Sequence, residues 1–248
     1  MRYQEENAET ISRWCRQGWK WGVPLTHEEY LKARKGTFAM LLTPTKPIPH
    51  KWLKGIRGKK VLGLASGGGQ QMPILAALGA QCTVLDYSDE QLKKEKEVAE
   101  REGYAIEIVK ADMTKKLPFA AEAFDFVINP VSLVYIEKEI PVFKEVHRIL
   151  KNRGIFLTGL DNGMNFITDD DRTITNSLPF NPLKDRKLRE KLKKDDDGIQ
   201  FSHSLEESIG GLVRNGFVIK DFFDDTNDEG NLMELNIPSF FAVYSIKE

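Results

Sequence analysis

The chain has 248 residues, 41% of them hydrophobic and 29% charged, enough to bury a core without a disulfide or metal staple. Lys+Arg 36 against Asp+Glu 37 leaves a net charge of −1, which argues against a dedicated nucleic-acid or membrane-surface binder, since those carry a basic excess. Cys15 and Cys82 alone exclude a disulfide framework and a four-thiolate zinc site, and no metal is expected. The polar start Met1–Glu6 does not read as a signal peptide, and no run approaches the roughly 20 apolar residues of a membrane span. The expected compartment is a reducing cytoplasm.

Residues 1–55 are expected to form an N-terminal cap. They are dense in aromatics and prolines: Trp14, Trp19, Trp21, Tyr30, Phe38, Pro44, Pro47, Pro49 and Trp52. Thr26 followed by Glu28 and Glu29 predicts a helix start, with its stop near Gly36. The run Thr43–Pro49 must be extended, because proline disfavours helix at its own position and the one before. It reads as a linker, or as an arm lying on the main domain. Trp14, Trp19 and Trp21, with Tyr3, fit either a lid over a pocket or a helix packed permanently on a sheet.

From Lys59 onward, short apolar runs alternate with helical ones. Strands are predicted at Lys60–Ala65, Cys82–Asp86, Ile106–Val109, Phe124–Ile128 and Gly154–Thr158. Between them lie a helix over Met72–Leu78 with Pro73 in its first turn and a Ser88-capped helix ending at Gly103. A third helix carries Val142, Val146, Ile149 and Leu150 on one face. This alternation predicts an α/β fold with a parallel sheet and helices on both faces. Residues 161–203 break the rhythm as a polar insertion. In it, Lys184, Lys187, Lys191 and Lys194 read as a solvated helix face, and Asp169–Asp171 as a loop or helix start. A helix over about 204–214 and strands around Phe217–Phe223 and Phe240–Ile246 follow. With no helix expected between those strands, an antiparallel hairpin at the sheet edge is predicted.

The richest feature is Leu64-Ala65-Ser66-Gly67-Gly68-Gly69-Gln70-Gln71, directly after the first strand. Glycines there let a ligand approach the backbone closely. The dinucleotide pattern fails because Met72 stands where its third glycine belongs, and the phosphate-loop pattern lacks its Lys-Ser/Thr. Asp86 closes the second strand, where a carboxylate accepts from ribose hydroxyls. Asp112, after the third strand, is placed to accept from the amine of adenine, with Met113 covering the ring.

Taken in order, Val61–Gly69, Thr83–Asp86, Ala111–Phe119, Phe124–Ile128 and Val146–Gly154 resemble the class I S-adenosylmethionine-dependent methyltransferases, in particular their small-molecule branch. The resemblance covers about residues 58–160. It implies a Rossmann-like, seven-stranded, mostly parallel sheet whose last strand is antiparallel, over residues 56–248, with 161–203 as an insertion or lid after the fifth strand. It implies that S-adenosyl-L-methionine is the cofactor and S-adenosyl-L-homocysteine the product. Gly67 and Gly69 would line its methionine part, with Ala65 and Gln70 also cofactor-binding; Asp86 would hold the ribose, Tyr87, Asp112 and Met113 would meet the adenine, and Asn129 would start the loop facing the sulfonium. Two positions depart from the family: Gly63 stands where it has an acid, and Ala65 where it has a glycine.

Asn129-Pro130-Val131-Ser132 lacks the second proline and the aromatic of amino-nitrogen methyltransferases of nucleic-acid bases. The acceptor-pocket candidates are Asn129, Tyr135, His203 and Trp21; whether a general base serves the reaction stays open. The expected reaction is methyl transfer to a small-molecule acceptor. An RNA methyltransferase, or a cofactor-binding module without turnover, are the alternatives.

Overall fold

Consecutive buried residues of the central strands point to opposite faces, which sorts the interior into two layers, one on each face of a single sheet. The computed structural model describes residues 2–168 and 172–248; the acidic run Asp169–Asp171 lies outside the described residues. The strands are β1 (Lys60–Leu64), β2 (Gln81–Asp86), β3 (Ile106–Lys110), β4 (Phe124–Asn129), β5 (Leu150–Asp161), β6 (Phe217–Asp225) and β7 (Phe240–Lys247). The helices are α1 (Tyr3–Arg16), α2 (His27–Arg34), α3 (Gln71–Ala77), α4 (Asp89–Glu102), α5 (Ile140–Ile149), α6 (Arg186–Asp195), α7 (Leu205–Arg214) and the four-residue α8 (Asn231–Glu234). The sheet order is β3-β2-β1-β4-β5-β7-β6, with only β7 antiparallel to its neighbours. This is the expected Rossmann-like sheet. No helix among the described residues is long and apolar enough to cross a membrane.

The predicted hairpin is present at the sheet edge: β6 and β7 pair antiparallel, with β7 between β5 and β6 and β6 outermost. The cause is burial. Phe241, Ala242 and Val243 are buried in succession, whereas β6 alternates half-buried and exposed residues from Ile219 to Asp224.

One layer packs α5 and α7 on the sheet through Leu62, Val127, Phe143, Val146, Phe156 and Leu212. The other packs α2, α3 and α4 through Val61, Leu75, Val84, Leu92 and Ile128. The proline-rich arm belongs to this second layer: Met40, Leu42, Ile48, Trp52 and Ile56 are all buried there. Trp52 lies 5.5 Å from Phe223 and 5.6 Å from Tyr244, centroid to centroid, and its indole donates to Asp221 at 3.0 Å.

Local signals explain the helix ends. Thr26 and Glu29 form a reciprocal capping box on α2, and Ser88 accepts from Gln91 N at the start of α4. Pro73 sits in the first turn of α3, where no intrahelical donor is lost. Strand order reverses at β1, which pairs in parallel with β2 on one side and β4 on the other, so a crevice opens at the carboxyl ends of the strands.

Candidate active site

The glycine turn after β1 is tied from below. Gly67 N donates to Asp86 Oδ2 at 3.0 Å, and Gly69 N donates to Glu95 Oε2 at 3.0 Å. Glu95 also accepts from the Tyr104 hydroxyl at 3.1 Å, and burial without a cation pushes its pKa up to about 7. Side chains are excluded from this turn: a Cβ on Gly67 would lie 2.7 Å from Gln91 Cβ and 3.0 Å from Asp86 Oδ2. Ala65 adopts φ 47°, the left-handed region that favours glycine.

Above the turn lies a cavity of about 450 Å³, within the usual range for small-ligand sites. Of the residues singled out from the sequence, Ala65, Gly67, Gln70, Asp86, Tyr87, Asp112, Met113, Tyr135 and Trp21 line it. Gly69, Asn129 and His203 do not. Gly69 faces Val98 and Glu95 under the turn. Asn129 is fully buried and brackets strand ends: its amide donates to Leu64 O and to Ser132 Oγ, both at 2.7 Å, and it accepts from Thr158 Oγ1 at 3.1 Å. His203 is buried behind the wall, with Nε2 3.0 Å from Ile136 O and Nδ1 3.5 Å from Glu139 Oε1. Burial lowers the His203 pKa and pushes that of Glu139 up to about 8, so both stay uncharged near neutrality.

At the β1–β3 end, two carboxylates face the cavity. Asp86 Oδ1 accepts from Tyr87 N at 2.7 Å and Ser88 N at 2.9 Å, while Oδ2 takes only Gly67 N. Burial raises its pKa, and these three backbone donors oppose the rise. Asp112 Oδ1 accepts from Thr114 N at 2.9 Å and Thr114 Oγ1 at 2.6 Å. Its Oδ2 is buried with no hydrogen-bond partner among the described residues, which is costly unless a ligand donates to it. An exocyclic amine is such a donor, so this orphaned oxygen and the side-chain-free turn fit an adenosine-bearing cofactor.

The missing family acid has a packing reason. A Cβ on Gly63 would lie 2.7 Å from Met72 Cε and 2.8 Å from Met72 Sδ. Met72 is fully buried and fills that space. Beside it, Ser66 Oγ donates to Gln71 Oε1 at 3.1 Å, and Gln71 Nε2 donates to Leu41 O at 3.1 Å.

The far end of the cavity holds residues that sequence reasoning missed. Asp161, at the end of β5, lines it together with Asn165, Phe166, Asn227 and Phe240, and the arm contributes Leu41 to Pro44. Asp161 Oδ1 accepts from Gly163 N at 2.5 Å and Oδ2 from Asn165 Nδ2 at 2.7 Å. Burial pushes its pKa up to about 6 against those two bonds. Asp161 closes β5 as Asp86 closes β2, but the predicted strand stops at Thr158, three residues short of it.

The cover joins both segments expected to flank the pocket. Helix α1 lies across it with Asn7 donating to Ile199 O at 2.8 Å and accepting from Ile199 N at 2.7 Å. Trp14 packs on Trp19 at 5.3 Å and donates to Asp196 O at 3.1 Å, beside an Arg13–Asp196 ion pair. The Tyr3 hydroxyl accepts from Glu137 N at 3.1 Å, and Ser12 meets Ser88 at 2.9 Å. Helix α6, predicted as a solvated face, contributes no buried residue, and Arg189 reaches α1, pairing with Glu6 at 2.8 Å.

Comparison with known proteins agrees with this architecture. A family model described as a methyltransferase domain matches residues 62–158. The uncharacterized methyltransferase YbaJ of Bacillus subtilis is 35% identical over 249 aligned positions, covering 97% of both chains. Among solved structures, an S-adenosylmethionine-dependent methyltransferase from Mesorhizobium loti superposes with a TM-score of 0.62 at 20% identity, over 79% of this chain and 94% of that one. A geranyl diphosphate C-methyltransferase from Streptomyces coelicolor A3(2), solved with S-adenosyl-L-homocysteine, gives 0.56 at 15% identity, over 78% and 75%.

Proposed function

Since the chain belongs to the class I S-adenosylmethionine-dependent methyltransferases, we propose that it methylates a small molecule held under α1 and the 161–203 insertion. The observation that carries this reading is the covered cavity of about 450 Å³ whose wall, among the described residues, includes no Lys, Arg or His. A polynucleotide acceptor needs an open approach and cations for its phosphates.

In this reading Asp86 accepts from the ribose and Asp112 Oδ2 from the adenine amine, with Met113 and Tyr87 at the ring. Gly67 and Ala65 bring backbone close to the methionine part, and Gln70 stands at the turn's outer rim. When bound, the sulfonium supplies an activated methyl carbon. The protein's work is then alignment and exclusion of water, and orientation of this kind supplies roughly 7–11 kcal/mol. Trp14, Trp19 and Trp21 form the water-excluding side of the cover. Tyr135 and Trp21 reach the acceptor space directly, whereas Asn129 and His203 act on it through the residues they hold.

Titration with S-adenosyl-L-homocysteine and with NAD should give binding of the first alone. Incubation with methyl-labelled cofactor plus a small-molecule extract, and separately plus RNA, should label the extract. Labelled RNA would overturn the acceptor class. Failure to label either, with the cofactor product bound, would favour a binding module without turnover.

A further inference from the structure

We propose that Asp161 receives the acceptor, taking the hydrogen-bond-donating nitrogen or oxygen of an uncharged amine or alcohol with an apolar body, and that anionic acceptors are refused. This rests on the small-molecule methyltransferase reading above and narrows it to a chemical class.

Three observations carry the inference. First, Asp161 is only 7% exposed, yet lines the cavity. Each of its oxygens accepts one described bond, from Gly163 N and from Asn165, so each retains an acceptor direction. Second, the carboxylate is held rather than merely present. Asn165 Oδ1 accepts from Asn227 Nδ2 at 2.8 Å, and Asn227 Oδ1 from Ser239 Oγ at 3.1 Å. This chain runs from β5 to the β6–β7 connection and fixes the direction in which Asp161 Oδ2 accepts. Third, its surroundings are apolar. Pro44, Val131, Phe166 and Phe240 share the wall, and no described ion pair involves Asp161.

Charge then decides between acceptors. Asp86, Asp112 and Asp161 all face the cavity, with no cationic side chain among the described wall residues. The other acid close enough to act on Asp161 is Glu139, itself held neutral by burial. An anion brought into such a space is desolvated beside the Asp161 carboxylate with no cationic side chain among the described wall residues to pair it, and this discriminates against it. A neutral amine or hydroxyl instead gains a charge-assisted hydrogen bond. Burial holds the Asp161 pKa at about 6, so the group is ionised near neutrality but close enough to hold a proton transiently. One proton would leave the acceptor heteroatom for the carboxylate as the heteroatom's lone pair forms the bond to the methyl carbon and the carbon–sulfur bond breaks, its electron pair staying on the sulfur of the departing S-adenosyl-L-homocysteine. The positive charge lost at sulfur is matched by the negative charge lost at Asp161.

The test uses the full chain with methyl-labelled S-adenosyl-L-methionine and a cell-extract metabolite pool split by ion exchange. Label should enter the fraction not retained as anions. With that fraction, Asp161→Asn should lower kcat about 100-fold, the scale of a lost general base. Its affinity for S-adenosyl-L-homocysteine should change less than about 2-fold, well below the loss of one charge-assisted bond. The wild-type rate should rise as pH passes about 6, and that rise should vanish in Asp161→Asn and return in part in Asp161→Glu. A purely structural residue would not remove the pH limb. Label in the anionic fraction, or an unchanged rate in Asp161→Asn, overturns the inference and leaves the methyltransferase reading standing. No label in any fraction, with S-adenosyl-L-homocysteine bound, overturns the small-molecule reading and this inference with it. The fractionation needs no variant, so it decides even where a variant does not fold.

Discussion

The two ends of the cavity are built differently. At the β1–β3 end, the polar groups come from strand termini and are fixed by backbone: Asp86 by Gly67, Tyr87 and Ser88, and Asp112 by Thr114. At the β5–β7 end, they come from separate segments and, beyond the Gly163 N bond to Asp161, are fixed by a run of side chains, Asp161, Asn165, Asn227 and Ser239. Backbone-held groups keep their places through most substitutions, which suits a ligand common to a family. Side-chain chains change with each residue, which suits an acceptor particular to one protein.

The largest effect should come from Gly159→Ala, which attacks the second end alone. A Cβ there would lie 2.0 Å from Leu42 O, a backbone atom of the arm that cannot swing aside. The Val131 N to Leu42 O bond at 3.0 Å must break as the arm lifts. The expected loss is about 3 kcal/mol of unfolding free energy, the upper part of the overpacking range. Denaturant titration checks it, and S-adenosyl-L-homocysteine affinity should fall far less than stability. An equal fall would mean that the two ends are not separable.

Asp86→Ala strikes the first end. Cofactor-product affinity should fall by roughly 1.5–3 kcal/mol, the scale of a hydrogen bond to a charged group. A dissociation constant that does not move would reduce Asp86 to the bracket that holds Gly67, Tyr87 and Ser88. Set beside Asp161→Asn, this variant measures how independent the two ends are.

The contrast also explains what was legible in the sequence. Five strands, the glycine turn, Asp86 and Asp112 could be read because each sits at a fixed offset from an apolar run. Asp161, Asn165, Asn227 and Phe240 share no such offset and meet only through strand pairing. Helix α1 was legible only as one of two readings of the aromatic N-terminal stretch, without bounds, because its inward face is partly polar, with Asn7 and Cys15 as its buried residues. Asn129 was read as an acceptor residue from its position after β4, but a buried amide among Leu64, Ser132 and Thr158 satisfies its neighbours rather than a ligand. The interior position of β7 was signalled by the unbroken run Phe240–Tyr244, which suits a strand covered on both faces.

Behind the second end, Glu139 makes stability depend on pH. It accepts from Ser208 Oγ at 2.6 Å, and burial raises its pKa from 4.5 to about 8. The folded state therefore holds this proton more tightly than the unfolded chain. Its contribution is complete below about pH 4.5 and is lost as pH rises through about 8. The slope is at most about 1.4 kcal/mol per pH unit. Glu139→Gln, which cannot ionise, should flatten the fall between those limits in urea titrations. A wild-type protein that gains stability over that window would contradict the buried, neutral carboxyl.

The smallest effect is expected at Ala65, and its smallness is informative. The left-handed φ of 47° costs an alanine roughly 1–2 kcal/mol relative to glycine. Against this, glycine loses roughly 0.5–1 kcal/mol more chain entropy on folding. The alanine methyl also packs against the layer that holds Leu62 and Leu64, and one buried carbon contributes up to about 0.8 kcal/mol. The terms nearly cancel, so Ala65→Gly should change unfolding free energy by less than about 1 kcal/mol, with S-adenosyl-L-homocysteine affinity unchanged. That cancellation is the physical reason alanine can stand where the family has glycine. A larger loss would place more packing on the methyl than its surroundings indicate. A weaker affinity would mean that the first end depends on a side chain after all.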